Sequence, residues 1–422
     1  MRADTAPTPG ALAVGVALVM STTTIALANI DSRPGDDFQL HTILLISDLA
    51  LIAVIITGAD GLRGAIRAWR NHRCVLAGLV LGLTVLPAAL AHPSDRGVAA
   101  VLRGLAALGI GLCVGAARFD ARRLVVGTLA AVTLAQVAVA CAQRIANGPI
   151  ILDEMGEASP VEIGGRYASS GLTVHPYVLA AWCAVAGTAL LALSRRPSSG
   201  GRLTTAAGVA AFAGIGLTMS RAGALAGVIA LSALAFSTLR SDRVSRRAVL
   251  GAAVTLALGA LVNLSGWLSR AGQSGGVDAI SSGRGALLRQ AWVLLQDNLL
   301  TGVGPGRYVL ALIERPELVE LSRQSPRPVH LTPFLLMVEG GLLVVPGLIL
   351  LALAIAVACR RGGATAVALT LSMLPFLALD HLAWSYPQGL VLTGVWLGVL
   401  DLLAREEEQE EEPVTALPAA PA

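Results

Sequence analysis

Arginines and a single histidine carry most of the chemistry on offer here, and they gather between Ser282 and Gly341. Arg284 and Arg289 share a basic segment that ends at Trp292. The run Thr301-Gly302-Val303-Gly304-Pro305-Gly306-Arg307-Tyr308 follows, and His330 then opens an apolar stretch holding Glu339 and Gly341. A guanidinium is planar, stays charged at any physiological pH and can grip two oxygens of a phosphate or carboxylate at once. Several arginines in one segment therefore point to an anion-binding face. Arg221 lies apart from them, between two apolar runs, where a charge is costly and is commonly retained for function; the alternative is a turn residue whose head snorkels to the interface. His330, taken alone, reads as an interfacial residue, although an imidazole can also move a proton near neutral pH. The glycine run lacks the Lys-Ser/Thr of a Walker loop and does not fit G-x-G-x-x-G. Two readings of it stand: a tight connection between helices, stiffened by Pro305, or a set of backbone N–H groups that cradle a phosphate.

These residues need a scaffold, and composition names its class. The chain has 422 residues, 55% hydrophobic and only 14% charged, with a mean hydropathy of +0.71. A water-soluble domain cannot clothe itself with so few charges, so the chain is expected to be an all-α, polytopic membrane protein. Apolar runs long enough for a hydrocarbon core of ~30 Å predict about twelve spans. They lie at Ala11–Ala28, Leu40–Thr57, Cys74–Ala91, Val98–Ala116, Leu124–Ala142, Pro176–Leu193, Leu203–Met219, Ala222–Leu239, Ala248–Leu268, Thr332–Val357, Ala364–Leu379 and Tyr386–Leu403. The expected organisation is an N-terminal bundle over residues 1–268, a large loop over 269–330 containing short helices, C-terminal spans over 331–403 and an acidic disordered tail over 404–422. The five cysteines sit in or beside apolar runs without metal-ligand spacing, and read as small core residues. No nucleic-acid motif, internal repeat or metal-binding spacing is apparent, and no cofactor is expected.

All 31 basic residues are arginine, since the chain has no lysine. Short arginine-rich loops, such as those with Arg63 and Arg67, with Arg118 and Arg122, or with Arg240 and Arg243, alternate with arginine-poor ones. By the positive-inside rule both termini are expected in the cytoplasm, which leaves Gln143–His175 and Ser269–His330 outside. Among other ionisable groups, Asp48 falls inside an apolar run and calls for a buried partner, for which Arg103 is the candidate. Asp36 and Asp37 read as an ordinary turn beside Arg33, and Asp153, Glu154, Glu157 and Glu162 as a solvated acidic face. Asp380-His381 reads as an interfacial pair, with the rim of a site as the other possibility.

Taken in order, these motifs resemble one family. Gly171-Leu-Thr-Val-His175-Pro176, Ser220-Arg221-Ala-Gly223, Ser282-Gly-Arg284, Leu300-Thr-Gly302-Val-Gly304-Pro-Gly306, and His330 followed by Glu339 and Gly341 are similar to the signature of the O-antigen ligase and polymerase superfamily. The chain departs at His330-Leu331, where His-Asn is common, and at Pro176-Tyr177, where Pro-Asn is frequent. The resemblance implies a GT-C-like membrane glycosyltransferase that moves a glycan from a polyprenyl-diphosphate carrier to an acceptor hydroxyl on a glycan or glycolipid. It would work on the outer face of the cytoplasmic membrane, inverting the glycosidic centre and using no metal. Arg221 and Arg284 would hold the diphosphate, with Arg289, Gly304, Gly306 and Arg307 in support, and His330 would meet the acceptor as base or orienter. Glu339, ~13 Å further along the helix axis, would be structural. A polymerase of the same superfamily, or a transporter of anionic lipid-linked substrates, are the alternatives.

Overall fold

The computed structural model describes residues 9–20, 26–29, 43–116, 119–150, 161–194, 201–240, 245–272, 284–322 and 326–411. Asp36, Asp37, Asp153, Glu154, Glu157 and the Ser282-Gly283 part of the basic motif lie outside the described residues. Helices dominate: α1 (Pro9–Met20), α2 (Ile46–Arg67), α3 (Arg73–Ala91), α4 (Asp95–Ala116), α5 (Phe119–Ala146), α6 (Pro176–Leu193), α7 (Arg202–Leu217), α8 (Arg221–Arg240) and α9 (Arg246–Val262) come first. After α10 (Leu264–Gly272) come α11 (Arg284–Asp297), α12 (Tyr308–Ile313), α13 (Pro316–Ser322) and α14 (Thr332–Gly340), then α15 (Val345–Arg361), α16 (Gly363–Leu379), α17 (Leu382–Ser385) and α18 (Pro387–Glu411). Two short 3-10 turns, Trp69–Asn71 and Leu342–Val344, and two small antiparallel strand pairs complete the described elements, β1 (Ala26–Asn29) with β2 (Ile43–Leu45) and β3 (Glu162–Ile163) with β4 (Arg166–Tyr167).

Among the described residues, 7 helices are long and apolar enough to cross a membrane, and α7 and α16 are shorter apolar helices. The architecture is that of a polytopic all-α membrane protein, with fewer qualifying spans than the twelve expected. Several expected runs are broken. Ala11–Ala28 holds the helix that reaches Met20 and a strand from Ala26, with residues 21–25 outside the described ones. Within Leu40–Thr57 a strand, Ile43–Leu45, precedes α2. Ala248–Leu268 is interrupted at Asn263, whose side-chain amide donates to the Leu217 carbonyl at 3.1 Å instead of remaining in a helix interior. Thr332–Val357 stops at Gly340, because Gly341 takes φ 71 and its α-carbon faces the Leu300 carbonyl, leaving no room for a side chain. α18 runs on to Glu411 where the expected span ends at Leu403, and the rest of the tail lies outside the described residues. Arg, Glu and Gln are good helix formers, so the polar segment propagates the apolar helix that precedes it.

α6 forms the heart of the bundle, buried along nearly its whole length. Around it the small residues of neighbouring helices permit close approach, as where α4 and α18 meet at Gly111, Gly394 and Gly398. Asp48 and Arg103 join α2 to α4 through two hydrogen bonds, 2.8 Å from Nε and 2.6 Å from Nη2. The buried acid of α2 thus finds the expected partner. The loop helices α11 to α14 have a core of their own, built from Ala291, Leu294, Leu295, Tyr308, Leu312, Leu335 and Val338 among others. On α11 the buried positions Leu287, Ala291, Leu294 and Leu295 recur at helical spacing, so its opposite face is left exposed.

Candidate functional site

The polar residues of the loop are positioned by helix ends, and the sequence motifs explain how. His175 caps α6, its Nδ1 accepting the Tyr177 N–H at 3.2 Å, with Pro176 in the first turn where a missing N–H costs nothing. Ser220 does the same for α8, its Oγ accepting the Gly223 N–H at 3.2 Å, which sets Arg221 as the first residue of that helix. A Cβ on Gly223 would lie 2.6 Å from that of Ala180, so the starts of α6 and α8 are packed together.

The glycine run folds as a turn wrapped over Glu339. Gly302, Gly304 and Gly306 all have positive φ, at 63, 95 and 68°. Their α-carbons press against the Glu339 backbone, His92 and Arg96 respectively. The N–H groups of the turn are engaged internally. Val303 donates to the Val338 carbonyl at 2.9 Å, Gly304 to the Glu339 carbonyl at 2.9 Å and Gly306 to Glu339 Oε2 at 2.8 Å. Glu339 also accepts from the Tyr308 N–H at 3.3 Å and from Trp384 Nε1 at 2.6 Å. The amides of Gly306 and Tyr308 are therefore directed at a buried carboxylate and that of Gly304 at the same residue's backbone carbonyl, and the run serves as a tight connection between helices. Arg307 caps α12, with Nη2 3.7 Å from Glu314 Oε1.

His330 precedes α14 and is half-buried. Its Nδ1 stands 3.9 Å from Asp380 Oδ2, too far for a hydrogen bond, and its ring is 5.2 Å from that of His381. Asp380 ends α16, where its Oδ1 accepts the His381 N–H at 2.7 Å and the Leu382 N–H at 3.2 Å. Thr332 Oγ1 donates to the Asp380 carbonyl at 2.9 Å and so ties the start of α14 to the end of α16. From His381 a file of rings continues: it stacks on Tyr386 at 5.6 Å, Tyr386 meets Tyr177 edge-on at 5.8 Å, and Tyr177 lies 4.4 Å from His175. The Gly171–Pro176 motif thereby reaches the same end of the bundle as His330.

Electrostatics follow from burial. Desolvation, then the positive charges of Arg284 and Arg327, push His330 down to about 4. Burial raises Asp380 to about 6 against the opposing pull of two backbone N–H groups and Arg284. His381 falls to about 3, again through burial and then the neighbouring His330. At neutral pH the site accordingly holds two neutral imidazoles and an ionised carboxylate.

Of the residues expected at a site, the structure brings Arg284 within electrostatic reach of both His330 and Asp380. Arg289, on the same helix, is exposed. Arg221 is exposed at the start of α8, beside the α6 end that carries Tyr177. Asp380 and His381 lie beside His330, a placement that fits the rim of a site, the less favoured of the two readings. Their signal was an acid and an imidazole side by side at the end of a long apolar run, where such groups are costly. Tyr177, Tyr386 and Trp384 gave no signal, as aromatic residues at span ends are ordinary interface anchors.

Fold and site together define a polytopic membrane protein with arginine, imidazole and carboxylate groups assembled at one end of its bundle. Residues 206–352, roughly a third of the chain, match the family model described as O-antigen ligase, in agreement with the resemblance carried by the motifs. The matched segment holds Arg221, Arg284, Arg289, Arg307, His330 and Glu339, whereas Asp380 and His381 follow it. No curated protein matches the chain.

Proposed function

We propose that this protein is a membrane glycosyltransferase that moves a glycan from a polyprenyl-diphosphate carrier to an acceptor hydroxyl, on the outer face of the cytoplasmic membrane. The observation that carries the reading is the juxtaposition of His330 and Asp380 across 3.9 Å, with Arg284 close enough to lower the pKa of the imidazole. The acceptor oxygen attacks the anomeric carbon as its proton passes to His330. The bond from that carbon to the diphosphate breaks in the same displacement, which inverts the centre. The leaving lipid diphosphate takes the electron pair, and Arg284 and Arg221 stabilise its growing charge, with Arg289 and Arg307 drawing the anion in. Asp380 favours the imidazolium as it forms. Gly304 and Gly306 support the site by shaping the turn before Arg307. By the positive-inside rule the short arginine-rich loops face the cytoplasm, and both termini with them.

The test is transfer by purified protein from a polyprenyl-diphosphate glycan to glycolipid and polysaccharide acceptors. His330→Ala is expected to lose ~10²–10⁴-fold in rate and Arg284→Ala ~10²–10³-fold. Both variants should insert and elute as wild type does, and a chelator should leave the wild-type rate intact. Full transfer by both variants would remove the residue assignment.

A further inference from the structure

His330, Asp380 and His381 come from three separate helix ends, yet one ligand atom from each lies within 4.8 Å of the others. Asp380 is locked by the N–H groups of His381 and Leu382 on Oδ1, which turns Oδ2 towards His330. The 3.9 Å between Oδ2 and His330 Nδ1 exceeds a hydrogen bond. Two ligand atoms each ~2.0–2.1 Å from a shared tetrahedral zinc-like cation stand ~3.4 Å apart, so the two side chains need close by only about half an ångström to share one. His330 Nδ1 and His381 Nδ1 are both buried without a hydrogen-bond partner, which leaves both nitrogens open to a ligand.

We infer that His330, Asp380 and His381 form a binding site for one divalent transition-metal cation, and that its occupancy withdraws His330 from the acceptor. Two imidazoles and a carboxylate suit zinc, cobalt or ferrous iron rather than magnesium or calcium, which prefer all-oxygen shells. Three protein ligands leave a coordination position open. The positive charges of Arg284 and Arg327 near His330 oppose the cation, so it is expected to be held less firmly than in a closed structural site. The binding claim stands on geometry alone, while its inhibitory consequence rests on the role proposed for His330.

Metal-stripped full-length protein in detergent is titrated with Zn²⁺ and with Co²⁺. One equivalent of Zn²⁺ is expected to bind, and bound Co²⁺ should show the visible absorption of a site with imidazole ligands. Asp380→Asn and His381→Ala should each weaken binding by at least ~10-fold, and His92→Ala should leave it unchanged. Unchanged binding in both triad variants overturns the site. So does a wild-type cobalt spectrum without imidazole ligation, which decides the matter even if the variants fail to fold. Zn²⁺ should slow wild-type transfer and a chelator should restore it; transfer indifferent to a saturated site overturns the inhibitory role. Stoichiometric binding by a protein that transfers nothing would support the metal site and sink the enzymatic reading.

Discussion

The two ends of α3 lie ~28 Å apart, and each is associated with a buried aspartate that behaves differently. At the start of the helix Asp401 is fully used. Its Oδ1 accepts the Cys74 N–H at 2.9 Å and its Oδ2 the Val75 N–H at 3.1 Å, so a carboxylate from α18 closes the exposed donors of α3. At the far end, where His92 touches the glycine turn, Asp380 uses one oxygen on the backbone and offers the other to an imidazole that it does not reach. A buried polar group with every partner supplied by the chain holds the fold. The incomplete set at Asp380 fits the role in binding proposed for that end.

This contrast can be broken by substitution, and the largest effects belong to the incomplete end. His330→Ala and Arg284→Ala should lose transfer by the factors given above while their thermal midpoints in detergent stay near wild type. Next in size comes the satisfied pair between α2 and α4. Asp48→Asn leaves Arg103 charged among apolar helices and should destabilise the protein by ~3–5 kcal/mol. Replacing both residues with leucine should recover most of that loss, as read from midpoints of thermal unfolding. Asp401→Ala should cost ~1–2 kcal/mol, the usual loss on deleting a helix cap, with transfer per folded molecule retained. Arg289→Ala should be the mildest of the set, since this exposed side chain acts through long-range attraction. Its effect should fade as salt is added, whereas that of Arg284→Ala should persist.

Much of this was legible beforehand for reasons that are themselves physical. A charge in an apolar run must find a partner, so Asp48 named Arg103. The signature around Ser220 and His175 marks two helix starts, because Ser and His accept from the first free N–H groups. What stayed hidden depends on contacts between distant segments. Gly341 interrupts a run that is apolar on both sides, and its positive φ is dictated by the Leu300 carbonyl rather than by its neighbours in sequence. Nothing near Asp401 distinguishes it from any polar residue near a span end. Asp380-His381 was visible as an oddity, but its place beside His330 arises only when α16 and α14 are packed together. The glycine run shows the same limit. Its three positive-φ residues predict a turn with free amides, and only the folded chain reveals that Glu339 fills it.

The comparison reduces to one paired measurement: transfer rate and thermal midpoint for His330→Ala beside Asp401→Ala, at equal amounts of folded protein. The account predicts that His330→Ala keeps its midpoint and loses transfer, while Asp401→Ala loses stability and keeps transfer. A His330→Ala protein that transfers glycan at the wild-type rate would contradict it.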